Sequence, residues 1–251
     1  MGRITETVKV LIIINVLVYA GSLLSADVAY RLFSLYYFEN PNFQIWQPIT
    51  HMFMHDSSNF MHILFNMFAL YMFGSPLEAR WGRNKFLFFY FSAGLGAALI
   101  HSAVGYFHVH SGIDALMALG VSETEVWNLL NETLVPGSYR EITQIGIEES
   151  QRFFNSYNVP AVGASGAIYG VLVAFGMMFP NAELMLIFLP IPIKAKYFIP
   201  GLIVLDLFSG LTGFSLFGQN IANWAHIGGA LFGFIMAYYW KKNSFDNTRW
   251  Y

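Results

Sequence analysis

The chain contains no cysteine. That excludes disulfides, thiolate metal sites and a cysteine nucleophile, and it says nothing about redox compartment. Charge is scarce too: 11% of the 251 residues are Asp, Glu, Lys or Arg, where soluble domains carry about 25%. With 56% hydrophobic and 18% aromatic residues beside it, that composition reads as an all-α polytopic membrane protein with the lipid bilayer as its main partner. Net charge is −2, so nucleic acid is not an expected partner. Phosphate-cradling glycine loops of the GxGxxG or Walker type are missing. His51 and His55 are spaced like metal ligands on a helix, but no HExxH accompanies them, and no metal is expected.

Hydrophobic stretches of membrane length recur at about 9–25, 58–77, 86–106, 162–179, 197–217 and 221–240. Six spans in one membrane domain, 1–251, are expected. Lys and Arg set the orientation. Arg3, Lys9, Arg80, Arg83, Lys85, Lys194, Lys196, Lys241, Lys242 and Arg249 fall on one side, and Arg31, Arg140 and Arg152 on the other. Ten against three places both termini in the cytoplasm, in a multi-pass protein of a bacterial plasma (inner) membrane. Arg3 and Lys9 before an apolar run also fit a signal peptide. No convincing small-x-small cleavage site follows, however, and removing the first span spoils the charge alternation.

Two outer connections stand out. Residues 26–57 are half apolar, with Trp46-Gln47-Pro48, and suit the membrane interface. Residues 107–161 form a long acidic insertion between spans three and four. Ser122-x-x-Glu125 resembles a helix capping box, and Trp127, Leu129, Leu130 and Leu134 after it predict an amphipathic helix. A second short helix is expected near 147–157. Pro180, Pro190 and Pro192 predict a turn between spans four and five.

Polar side chains inside spans are costly and mark functional positions. With the orientation above, spans two, four and six run the same way. His62, Ser165 and His226 each fall a few residues into one of them, roughly 5–10 Å deep at 1.5 Å per residue. A serine hydroxyl needs a base to take its proton, and histidine is the usual one. Ser165 and His226 are far apart in sequence, so only the fold can join them. Gly163, Gly166 and Gly170 on one span and Gly229-x-x-x-Gly233 on the other let helices approach closely. Ser165 near a helix start, and His62 with Asn66 on one face of span two, supply hydrogen-bond donors. Each residue also has a plainer reading as helix glue. Asp206, the one acid well inside a span, can face a water pocket, bond a neighbouring helix or complete a triad.

Taken together, these residues resemble the rhomboid family of intramembrane serine proteases. The GxSG-xxYG element matches Gly163 to Gly170, AHxxGxxxG matches Ala225, His226, Gly229 and Gly233, and HxxxN matches His62 and Asn66. A GxxxExR pattern matches Gly74, Glu78 and Arg80. The resemblance covers about 42–106 and 160–240. It implies a six-helix bundle and an endopeptidase with Ser165 as nucleophile and His226 as base. His62, Asn66 and the Ser165 amide would form the oxyanion hole, with no third acid required. It implies no cofactor, and single-span or polytopic transmembrane proteins as substrates. An inactive relative that escorts membrane clients and a transporter with a midplane polar site are the competing classes. The family often has Trp-Arg in its first outer loop where this chain has Trp46-Gln47, and the 107–161 insertion is longer than usual.

Overall fold

A computed structural model describes residues 3–131, 146–186, 189–213 and 222–243. Leu134, Arg140 and Arg249, and the end of the fifth expected span, lie outside them. The elements are α1 (Glu6–Ser22), α2 (Ala26–Phe33), α3 (Gln47–Thr50), α4 (Phe60–Ala69), α5 (Ser75–Trp81), α6 (Arg83–Ala118), α7 (Glu123–Asn131), α8 (Ile147–Asn158) and α9 (Ser165–Met178). A hairpin of β1 (Glu183–Leu186) and β2 (Leu189–Lys194) precedes α10 (Ala195–Thr212) and α11 (Asn223–Asn243). Among the described residues the domain is all-α apart from that antiparallel hairpin, which stands where the prolines predict only a turn. It pairs Glu183 with Lys194 and Leu184 with Ile193.

Three helices among the described residues are long and apolar enough to cross a membrane: Phe60–Trp81, Arg83–Ala118 and Ala195–Thr212. The first joins α4 and α5 through a π-helical turn, Leu70–Gly74. At 14 residues, α9 is only about 21 Å long. It falls short of the roughly 30 Å hydrocarbon core, so its N-terminus need not reach a membrane surface.

Glycine decides which helices touch. A Cβ on Gly229 would overlap the Gly166 backbone, and one on Gly233 would overlap the Gly170 backbone. Thus α9 and α11 approach backbone to backbone. Gly228 brings α11 onto α6, where its Cβ would lie 2.9 Å from the Gly96 carbonyl oxygen. The core around α9 is apolar, with Phe86, Phe89, Tyr90, Val171 and Ala174 almost fully enclosed.

One end of this bundle gathers the start of α1, the end of α5, the start of α6 and the end of α11. There the Glu78 carboxylate caps α1, accepting from the backbone N–H groups of Thr7 at 3.0 Å and Val8 at 2.9 Å and from the Thr5 hydroxyl. A carboxylate on those otherwise unpaired N–H groups also complements the helix dipole. This cap accounts for α1 starting at Glu6, three residues before the expected span. Lys85 Nζ sits 4.3 Å over the Trp240 ring, joining α6 to α11 at the same end.

The opposite end carries the starts of α4, α9 and α11 together with α7 and α8, the described helices of the long insertion. α6 continues to Ala118, well past the expected end of span three at 106. Its extension is held by α7 and α8. Val109, Ile113 and Leu116 pack with Val126, Leu129, Leu130, Phe153 and Tyr157 in a second core that also takes Tyr37 from the first connection. The Ser122 hydroxyl accepts from the Glu125 N–H at 3.3 Å, as the capping pattern predicts.

The first connection is a braced loop. Gln47, fully buried, uses its whole amide: Nε2 donates to the Arg31 carbonyl at 3.1 Å and the Asn42 carbonyl at 2.8 Å, and Oε1 accepts from the Tyr36 N–H at 3.2 Å. A neutral amide at this position satisfies three backbone groups of the loop without burying a charge. Leu35 then pairs with Ala161, N to O at 2.9 Å in both directions, just before Gly163.

Candidate active site

Ser165 is the first residue of α9, so its own backbone N–H has no partner within the helix. The turn before it depends on Gly163. Its φ of +125° disfavours a side chain, and a Cβ there would lie 3.0 Å from His62 Nε2 and 3.5 Å from Ser165 Oγ. The Gly163 N–H donates to the His51 carbonyl at 3.0 Å, which ties the turn to the first connection.

The close approach of α9 and α11 has its consequence here. His226 Nε2 lies 2.9 Å from Ser165 Oγ. Tyr169, one turn after Ser165 on the same face of α9, stacks on the imidazole with ring centres 4.2 Å apart and planes 9° from parallel. His226 Nδ1 lies 3.1 Å from an oxygen of Asp206 on α10, and the Tyr169 hydroxyl donates to the other oxygen of the same carboxylate. The sequence left Asp206 open among three readings; the fold brings it to the imidazole. Tyr169 is visible in the sequence only as part of a motif, although its i, i+4 spacing from Ser165 signals a shared face.

His62 projects from α4 toward the same point. Its Nδ1 accepts from the Asp56 N–H at 3.2 Å. In a neutral imidazole the other nitrogen then carries the proton, so Nε2–H is the donor that faces the Gly163 turn. Asn66 lies one turn further along α4, nearly buried, and its Nδ2 donates to the His62 carbonyl at 2.7 Å. An amide nitrogen has a second N–H to offer, but no contact brings Asn66 onto Ser165 in this state. A cleft lined by Met52, Ala97, His101, Gly163, Ser165 and Ala222 opens behind the serine. Among the described residues, no three His, Asp or Glu side chains are grouped to hold a metal ion.

The Rhomboid domain profile matches residues 42–125 and 104–243, most of the chain. The chain belongs to the rhomboid family. Rhomboid relatives include an uncharacterized mitochondrial rhomboid protein of Schizosaccharomyces pombe, 28% identical over 214 residues, covering 79% of this chain and 52% of that protein. Rhomboid protease AarA of Providencia stuartii is 26% identical over 202 residues, covering 76% of this chain and 54% of its own. Mitochondrial rhomboid protein 1 of Saccharomyces cerevisiae is 23% identical, covering 73% of this chain and 39% of its own. The chain thus spans about half, or less, of the length of these curated relatives. A rhomboid fold with apolar helices of membrane length is consistent with intramembrane proteolysis in general.

Burial of two histidines in the first connection couples folding stability to pH. His51 Nδ1 donates to the Gln47 carbonyl at 2.9 Å, and His55 Nδ1 faces the Phe53 carbonyl at 3.3 Å. His55 Nε2 is buried without a partner among the described residues. Burial lowers both from the ordinary 6.5 to about 4. Between those values the unfolded chain binds protons that the folded one refuses. These folded pKa values are depressed, so stability falls as pH drops from 6.5 toward about 4. Thermal unfolding in detergent should show a midpoint that declines over that window. His55→Gln, uncharged throughout, should flatten the decline; an identical slope in the variant contradicts this assignment.

Proposed function

We propose that this protein is an intramembrane serine endopeptidase that cleaves single-span or polytopic transmembrane substrates near the outer membrane face. The observation that carries the reading is the 2.9 Å contact between Ser165 Oγ and His226 Nε2, built on two glycine-lined helices inside a rhomboid-family fold. Ser165 Oγ attacks the scissile carbonyl as His226 takes its proton. The His62 Nε2–H, the Asn66 amide and the Ser165 N–H hold the developing oxyanion. His226 then protonates the leaving nitrogen, and water, activated by the same imidazole, releases the acyl-enzyme. Both members of the dyad are present, which weighs against an inactive escort protein.

The full reading is one six-span membrane domain with both termini in the cytoplasm of a bacterial cell, inserted in the plasma membrane. The ten-to-three bias of Lys and Arg supports that orientation. Helices α7 and α8 of the acidic insertion lie at the site end of the bundle, where Glu123, Glu125 and Glu149 would favour substrates with basic flanks. The experiment is labelling with a fluorophosphonate in detergent. Wild type should carry one adduct, on Ser165. The cysteine-free background also lets single cysteines report sidedness to a membrane-impermeant maleimide in intact cells: Asn131→Cys should react and Arg83→Cys should not. No adduct on Ser165, or the reverse accessibility, contradicts the corresponding part of the reading.

A further inference from the structure

Helix α11 supplies the imidazole, but α10 supplies something the dyad reading does not use. Asp206 is the only charged residue of α10 after Lys196. Its neighbours Val204, Leu205, Leu207 and Phe208 point outward, while Asp206 itself is 8% exposed. A carboxylate placed inside a membrane helix is costly unless it is paired. Here both oxygens are used: one faces His226 Nδ1 at 3.1 Å, and the other accepts from the Tyr169 hydroxyl.

We propose that Asp206 is a positioning residue that holds His226 in the tautomer with its proton on Nδ1, completing a Ser165–His226–Asp206 triad within the membrane domain. The proposal rests on the reading of Ser165 and His226 as nucleophile and base. A carboxylate can only accept, so the imidazole nitrogen facing it must donate. Nε2 is then bare and aimed at Ser165 Oγ, which is the form a general base requires. In the other tautomer Nε2–H would donate to Oγ and could not remove its proton. Tyr169 fixes the ring plane by stacking and fixes the carboxylate by its hydroxyl. When Ser165 loses its proton, that proton goes to Nε2. Asp206 keeps accepting from Nδ1–H beside the resulting imidazolium and takes no proton itself.

Two substitutions grade the effect. Asp206→Asn keeps an acceptor for Nδ1–H but removes the charge beside the imidazolium. Asp206→Leu removes both while keeping the same number and branching of side-chain heavy atoms. With a cleavable single-span peptide, kcat should fall about 10-fold for Asn and about 100-fold for Leu. KM should stay within about 3-fold, because the acid does not touch substrate. A residue that only ties α10 to α9 would not produce this split. The tautomer gives a second readout that needs no turnover. In ¹⁵N-histidine-labelled protein, the nitrogen shifts of His226 should report Nδ1–H in the wild type and a shift toward Nε2–H in Asp206→Leu. A wild type carrying its proton on Nε2 overturns the proposal even if neither variant folds. So does Asp206→Leu with wild-type kcat. If the wild type neither labels nor cleaves, the protease reading fails on its own, and the tautomer shift in Asp206→Leu still decides the coupling.

Discussion

Ser165→Ala and His226→Ala are each expected to lower cleavage of a single-span substrate by about 10⁴–10⁶-fold while leaving expression and thermal unfolding nearly unchanged. Each removes one half of a single proton transfer. Without the hydroxyl there is no nucleophile, and without the imidazole at 2.9 Å nothing takes the proton. The two residues act as a unit, so the double variant should be no slower than either single one. Folding should tolerate both changes because the close backbone approach of α9 and α11 is set by Gly166, Gly170, Gly229 and Gly233. The His226 variant does leave Tyr169 without its stacking partner and one Asp206 oxygen without its imidazole partner, so its unfolding midpoint is the control to inspect, and His226→Gln, which keeps a polar group there, is the second variant to measure. Residual turnover within about 10-fold of wild type in either variant would remove the dyad.

The proposed oxyanion donors come next in size. His62→Ala should reduce kcat by about 10²–10³-fold with little effect on KM, the usual cost of one lost donor. Its geometry is already set: the Asp56 N–H occupies Nδ1, leaving Nε2–H against the Gly163 turn. Asn66→Ala should cost less. The Asn66 amide is committed in part to the His62 carbonyl at 2.7 Å, so it must reorient, or use its second N–H, to reach an oxyanion. Losing it should also loosen the turn of α4 that carries His62, so the two substitutions should be non-additive. Measured kcat and KM for both single variants and the double check this. Additive effects, or a loss confined to KM, would contradict oxyanion binding.

How much of this was legible in the sequence follows from where each signal resides. The meeting of α9 and α11 was, because small residues at fixed spacing act directly on the distance between backbones. α7 and α8 were, because a capping pattern and an amphipathic run are local. The end of α6 was not. Hydropathy falls off near His108 and His110, yet the helix continues to Ala118, because α7 and α8 cover its apolar side with Leu129, Leu130 and Phe153. The start of α1 was set by Glu78, a residue far along the chain, which no window around α1 can register. Gln47 stood out only as a departure from a family pattern. Its role emerges from three backbone partners that the folded loop gathers around it. Asp206 was ambiguous for the same reason: an acid inside a span is conspicuous, but only the packing of α10 on α9 and α11 decides what it faces.

Proteolysis within the bilayer is tested most directly by reconstituting the purified chain in liposomes with a single-span substrate and mapping the cut by mass spectrometry. The substrate should carry small residues and a Gly/Pro pair near the outer end of its span, since Ser165 can attack a carbonyl only where the helix has frayed. The account predicts one cut, inside the span near that end, absent with Ser165→Ala and slowed when the Gly/Pro pair is replaced by Leu. An intact substrate with wild-type protein, or cuts confined to the water-exposed flanks, would contradict it.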